Sequence, residues 1–201
     1  AVYKGPVMDF IEGQNLRDFV KLRRHMVLNE SINLTNDICH GLNYALQNGL
    51  THRDLKLSNV LISSKGRAQL ADFGLASMID PKDDKEFANA PNPRSIDYAG
   101  LERATNVPRN DVRSDIFFVG CMLYHMLSGR PPLAETRDLM QRLYIGRYRD
   151  IPPLGKFVKG LPQVMLNIIK KSLAFDPALR YSNYDPLIAD LAKVQNADSV
   201  L

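Results

Sequence analysis

The chain has 201 residues, 45% of them hydrophobic and 24% charged, with a formal net charge of +4. That length holds one domain with a substantial core, and the charged fraction is too ordinary for a disordered chain. The mild basic excess suits an anionic ligand such as a nucleotide but does not argue for a nucleic-acid partner. Cys39 and Cys121 lie in apolar helical patterns and read as buried free thiols, with no CxxC or Cys/His cluster to suggest zinc. The longest apolar run, Ile116 to Leu127, is too short to span a bilayer and is interrupted by His125. No basic-then-apolar leader is present, and the start at Ala1 leads us to expect a chain that begins inside a longer protein.

Residues 6–13 read as a short apolar strand running into a turn, followed by a short helix capped by Asn15. A longer helix is expected from Asn29 or Ser31, because Leu34, Ile38, Leu42 and Leu46 recur every four residues and Asn48-Gly49 closes the pattern. Val60-Leu61-Ile62 and Ala68-Gln69-Leu70-Ala71 are strand-like, and the Ser-Ser-Lys-Gly-Arg between them reads as a hairpin turn. Residues 77–97, polar and rich in proline, read as a long loop of the kind that is usually functional or mobile. Ser114 then caps a helix that is apolar nearly all round, from Ile116 to Leu127, as befits the middle of a globule. Further helices are expected at about 136–145, 161–173 and 184–195, with a break at Asp176-Pro177.

The chemistry concentrates in His52-Arg53-Asp54-Leu55-Lys56-Leu57-Ser58-Asn59, the strand pair, and Asp72-Phe73-Gly74. A hairpin returns the chain to its start, so Asn59 and Asp72 can converge. Amide oxygen plus carboxylate is a hard-oxygen set that Mg²⁺ accepts when it also binds phosphate. Asp54 beside that point can take a hydroxyl proton, and Lys56 can offset charge on a transferring phosphoryl group.

These residues resemble the signature of Hanks-type serine/threonine protein kinases, in the style of the bacterial members. The resemblance extends along the chain. Met8 to Gly13 looks like the gatekeeper and hinge, and Ser95-Ile-Asp-Tyr98-Ala-Gly-Leu-Glu102 like the end of the activation segment. Ser114-Asp115 looks like the start of the central helix, and Asp176-Pro-Ala-Leu-Arg180 like the motif carrying the partner of Glu102. It implies an α+β, protein-kinase-like fold: a mainly helical C-terminal lobe with short β-hairpins, occupying 1–201, and an N-terminal lobe outside the chain. It also implies ATP and Mg²⁺ (or Mn²⁺) as cofactors and protein Ser/Thr hydroxyls as acceptors.

By the same resemblance Asp54 is the catalytic base and Lys56 its companion, and Asn59 and Asp72 hold metal. The backbone of Asp9 and Ile11 bonds adenine, and Leu61 lies under its ring. Asp115 braces the catalytic loop, Glu102 and Arg180 form a buried ion pair, and His52 and Phe73 pack in the family's apolar spine. Arg137, Arg142, Arg147 and Arg149 read as a solvated helix face and turn rather than a docking surface. The expected location is cytoplasmic, or the cytoplasmic side of a membrane-anchored parent.

The sequence departs from the family pattern in three places. Gly100-Leu101-Glu102 replaces Ala-Pro-Glu. Between Met78 and Arg94 there is no Ser, Thr or Tyr to carry phosphate opposite Arg53, so either Asp83, Asp84 or Glu86 supplies that negative charge or the acidic run is simply a solvated loop. No Gly-rich phosphate loop or strand lysine occurs, so the 201 residues alone are expected to bind nucleotide weakly and transfer phosphate negligibly. Two rival readings are a pseudokinase-like scaffold and a small-molecule phosphotransferase. The first has no chemical need for Asp54, Lys56, Asn59 and Asp72 together. The second does not account for the activation-segment and central-helix motifs.

Overall fold

The computed structural model describes residues 13–73, 77–78, 96–108 and 111–198. Asp9 and Ile11, with the rest of the expected strand before Gly13, lie outside the described residues.

The chain enters on β1 (Gly13–Asn15) and turns at once into α1 (Leu16–Arg23). Asn15 caps that helix as expected, accepting from the Asp18 N–H at 2.9 Å. Next comes α2 (Leu28–Gln47), which begins one residue before Asn29. Ser31 is not its cap: its hydroxyl donates to the Val27 carbonyl, inside the first turn. Leu34, Ile38 and Leu42 are buried as the four-residue spacing requires, and Ile32, Thr35 and Cys39 widen the stripe.

After β2 (Leu50–Thr51) and a single 3₁₀ turn (Leu57–Asn59), β3 (Val60–Ser63) and β4 (Ala68–Leu70) form the expected hairpin. Its register is antiparallel, with Val60 opposite Leu70 and Ile62 opposite Ala68. β1 adds to the other edge, giving the order β1-β3-β4. Asp37 on α2 pins the hairpin, accepting from Arg67 Nε at 2.8 Å and from the Ala68 N–H at 3.0 Å. The described ends of the expected 77–97 loop carry secondary structure. β5 (Ser77–Met78) pairs with β2, and α3 (Ile96–Thr105) starts before residue 97.

The central helix, α4 (Val112–Ser128), is buried on every side from Ser114 to Gly120. Its cap is Asp111, whose carboxylate accepts from the Arg113 N–H at 2.9 Å, so Ser114 sits within the first turn rather than before it. α4 packs between α2 and α7 (Gln163–Ser172), and α8 (Tyr184–Asp198) lies along α2. The helix expected at about 136–145 is instead two short ones, α5 (Leu139–Arg142) and α6 (Gly146–Arg149). The architecture of the described residues is therefore mainly helical, with a three-stranded and a two-stranded antiparallel sheet. Among the described residues no helix is long and apolar enough to cross a membrane.

α4 stops at Gly129, whose φ of +69° lies in the left-handed region and whose N–H returns to the His125 carbonyl at 2.8 Å. A Cβ at Gly129 would meet the Arg24 carbonyl oxygen at 1.7 Å, whereas one at Gly49, with φ +74°, would meet nothing within 4 Å. Denaturant unfolding should therefore separate the two: Gly129→Ala is expected to lose roughly 2–3 kcal/mol and Gly49→Ala about 1 kcal/mol. Equal losses would show that only the dihedral angle, and not the close approach, matters.

Candidate active site

Between β2 and the 3₁₀ turn the chain has no ladder partner, and its N–H groups need acceptors. Asp115, in the first turn of α4 and 1% exposed, supplies them. Its Oδ2 accepts from the His52 N–H at 2.9 Å and its Oδ1 from the Arg53 N–H at 3.2 Å. Two hydroxyls donate to the same carboxylate, Tyr98 at 2.7 Å and Tyr184 at 3.3 Å. The Asp54 N–H turns to His52 Nδ1 at 3.4 Å, and His52 Nε2 lies 3.3 Å from the Ala71 carbonyl. One ring nitrogen thus accepts while the other donates, the pattern of a neutral imidazole. Burial works the same way, lowering the His52 pKa below its ordinary value against the opposing charges of Asp115, Asp54 and Asp72. The ring packs on Phe73 at 4.7 Å, although Phe73 itself, expected in the apolar spine, is 39% exposed.

Asp54, 6% exposed, is held by one of its oxygens. Oδ2 accepts from Lys56 Nζ at 2.6 Å and from Asn59 Nδ2 at 3.0 Å, and Asn59 Nδ2 also reaches the Asp54 carbonyl at 2.9 Å. The structure therefore brings together three of the residues singled out from sequence. With its amide nitrogen committed to the loop, Asn59 has Oδ1 left as an acceptor. The fourth residue is close by in the chain path, because the Ala71 N–H donates to the Asn59 carbonyl at 2.8 Å and Asp72 follows directly. Asp72 is exposed, with a left-handed φ of +62°.

Among the described residues no group of three His, Cys, Asp or Glu side chains is placed to hold a metal. An amide oxygen and one carboxylate do fit an ion that takes its remaining ligands from water and phosphate. Leu61 is half-buried on the face of β3 opposite the buried Val60 and Ile62, away from the core. Ser95, Asp83, Asp84 and Glu86 lie outside the described residues.

Two expectations are corrected. Arg180 does not pair with Glu102. It donates instead to the carbonyls of Ala174 (2.7 Å), Phe175 (3.0 Å) and Arg113 (3.1 Å), with its guanidinium over the Phe117 ring. Burial lowers its pKa to about 10. Nor are the four arginines all on a solvated face. Arg142 and Arg147 both reach Asp97, at 2.9 and 2.6 Å, and line a cavity of about 260 Å³ that opens beside Asp54 and Lys56. Burial opposes ionisation of Asp97, but its hydrogen bonds to the two guanidinium groups outweigh that and lower its pKa. Arg149 pairs with Asp150 elsewhere. A larger cavity, about 770 Å³, lies between Tyr124, Leu154, Leu166 and Phe175, and holds none of the residues singled out for chemistry.

The family described as protein kinase domain matches residues 6–193. Serine/threonine-protein kinase PknB of Mycobacterium tuberculosis (strain H37Rv) is 32% identical over 192 residues, 96% of this chain and 30% of that protein. PknB of Mycobacterium leprae is 31% identical over 190 residues, 94% of this chain and 30% of that protein. The probable serine/threonine-protein kinase PknB of Bifidobacterium longum is 29% identical over 191 residues, covering 94% and 27%. The chain thus spans under a third of the length of these curated relatives, and they bear out the resemblance drawn from its motifs.

The buried imidazole sets a pH dependence. A His whose folded pKa lies below the unfolded value of about 6.5 binds fewer protons when folded, so its stability contribution is complete above that pH and falls below it. His125 is lowered by burial too, whereas the lowered carboxylates of Asp97, Asp111, Asp150 and Asp190 act only below about pH 4. Melting followed by circular dichroism should show a lower midpoint at pH 5 than at pH 7.5. His52→Phe should shrink that difference, and equal midpoints for the wild type would refute the assignment.

Proposed function

This chain belongs to the protein kinase family, and from that premise we propose that its parent transfers the γ-phosphoryl group of ATP to Ser/Thr hydroxyls of protein substrates. In this reading the 201 residues are the larger, C-terminal lobe, acting on the cytoplasmic side of any membrane anchor. The observation that carries the proposal is the arrangement on Asp54. A buried carboxylate is held through Oδ2 by Lys56 and Asn59, which leaves Oδ1 to face an incoming hydroxyl.

Asp54 accepts the proton of the substrate hydroxyl as its oxygen attacks the γ-phosphorus and the bond to the bridging oxygen of ADP breaks. The Lys56 ammonium, 2.6 Å from Asp54 and half-exposed, can swing to the transferring group and offset its charge. Asn59 Oδ1 and the Asp72 carboxylate would hold Mg²⁺ or Mn²⁺, which when bound neutralises charge on the phosphate oxygens. The backbone of Asp9 and Ile11 would bond adenine, with Leu61 under its ring. The phosphate-positioning motifs are not among these residues, so the activity is proposed for the parent and not for the lobe alone. A scaffold without catalysis would have no use for Asp54, Lys56, Asn59 and Asp72 together.

The test is phosphate transfer from labelled ATP to a Ser/Thr peptide by the parent protein. Asp54→Asn is expected to lower kcat by about 10²–10⁴-fold with nucleotide affinity little changed. Asp72→Asn should weaken binding of nucleotide only when Mg²⁺ is present. An Asp54→Asn protein that turns over at the wild-type rate would overturn the assignment.

A further inference from the structure

Tyr98 stands in the first turn of α3, directly after the segment between Met78 and Ile96, and is 1% exposed. Its hydroxyl does two things at once. It accepts from the Leu55 N–H at 3.3 Å and donates to Asp115 Oδ1 at 2.7 Å. We infer that Tyr98 is a positioning residue for phosphoryl transfer, whose hydroxyl relays the Leu55 N–H onto Asp115 and so fixes the loop on the far side of the base. The inference rests on the reading of Asp54 as that base.

The loop's hydrogen bonds show why a relay is needed. The N–H groups of His52 and Arg53, before the base, reach Asp115 directly, and that of Asp54 goes to His52. Leu55, after the base, is satisfied by Tyr98. Without that hydroxyl the Asp54 backbone would be fixed from its N-terminal side and from Asn59, with Leu55 buried and unpaired. Arg53, next to the base, has a left-handed φ of +66°, a conformation that a residue with a side chain keeps only when its surroundings hold it. The phenol is suited to relay. Burial, and after it the charge of Asp115, raise its pKa well above the ordinary value, so it keeps the proton that it donates. Its ring is held independently, stacked on Phe118 of α4 at 4.1 Å. Tyr184 provides the comparison: it also donates to Asp115, at 3.3 Å, but bonds no loop N–H among the described residues.

The experiment uses the parent protein with Tyr98→Phe and Tyr184→Phe, each of which removes one buried hydroxyl from Asp115 and retains the ring. Tyr98→Phe is expected to lower kcat about tenfold or more, with the KM for nucleotide within about twofold, because misplacing a base acts on the chemical step. Tyr184→Phe should stay within about threefold in kcat. Amide exchange read at Leu55 should quicken about tenfold or more in Tyr98→Phe alone. The inference is overturned if kcat of Tyr98→Phe stays within about twofold of wild type, or if both variants fall equally. Should Tyr98→Phe not fold, exchange in the wild type still decides: a Leu55 amide that exchanges like an open loop overturns the relay. That exchange needs no turnover, so a parent without phosphotransfer would refute the proposed function and leave this inference separately testable.

Discussion

The site depends on one buried negative charge. Taking a carboxylate out of water costs several kcal/mol after relaxation, and Asp115 is 1% exposed. The cost is offset by four donors, two backbone N–H groups and two phenols. Its place in the first turn of α4 adds the favourable end of the helix dipole. Because α4 is buried all round between α2 and α7, its first turn cannot drift, and the loop hung from it inherits that rigidity. The central helix supplies no catalytic group itself; it supplies a fixed point from which a ladderless segment is suspended.

A second constraint sets the distance across the site. The β3–β4 hairpin carries Asn59 at its entry and Asp72 just past its exit, and its register is fixed because Val60 and Ile62 must face the core. Asp37 of α2 clamps the turn end through Arg67 and the Ala68 N–H. The loop is thus tied to α4 and the hairpin to α2. Since those helices pack on each other, the proposed base and the two candidate metal ligands refer to the same core.

Much of this was legible in the sequence because it follows from local periodicity. The four-residue spacing of Leu34, Ile38 and Leu42, the hairpin, the Asn15 cap and the all-round apolar helix need only neighbours along the chain. Competition between near-equal local options was less legible. Asp111 and Ser114 are both good caps, and the structure uses Asp111 because Ser114 falls within the buried first turn. Ser31 likewise bonds backward into its own helix. Partners chosen at long range were not legible at all. Arg180 finds three carbonyls where Glu102 was expected, and Arg142 and Arg147 meet Asp97 across some fifty positions. The Tyr98–Asp115 contact joins a segment end to a helix start, and no spacing rule would have found it.

Backbone strain points to the same place. Four residues other than glycine have positive φ: Arg24, Arg53, Asp72 and Asn106, among the described residues. Asn106 directly follows α3, where a left-handed residue is a common way to end a helix, and Arg24 follows α1 with ψ −39°, outside that helix-ending conformation. Arg53 and Asp72 end no helix. Each holds a conformation that costs a residue with a Cβ roughly 1–2 kcal/mol, and each must be forced into it by its surroundings. Asp115 holds the Arg53 N–H, and Asp72 directly follows Ala71, whose N–H is bonded to the Asn59 carbonyl. The two strained positions stand immediately before the base and at the second candidate metal ligand. Among the described residues, two of the four positive-φ positions other than glycine thus adjoin or belong to the polar group proposed for the chemistry.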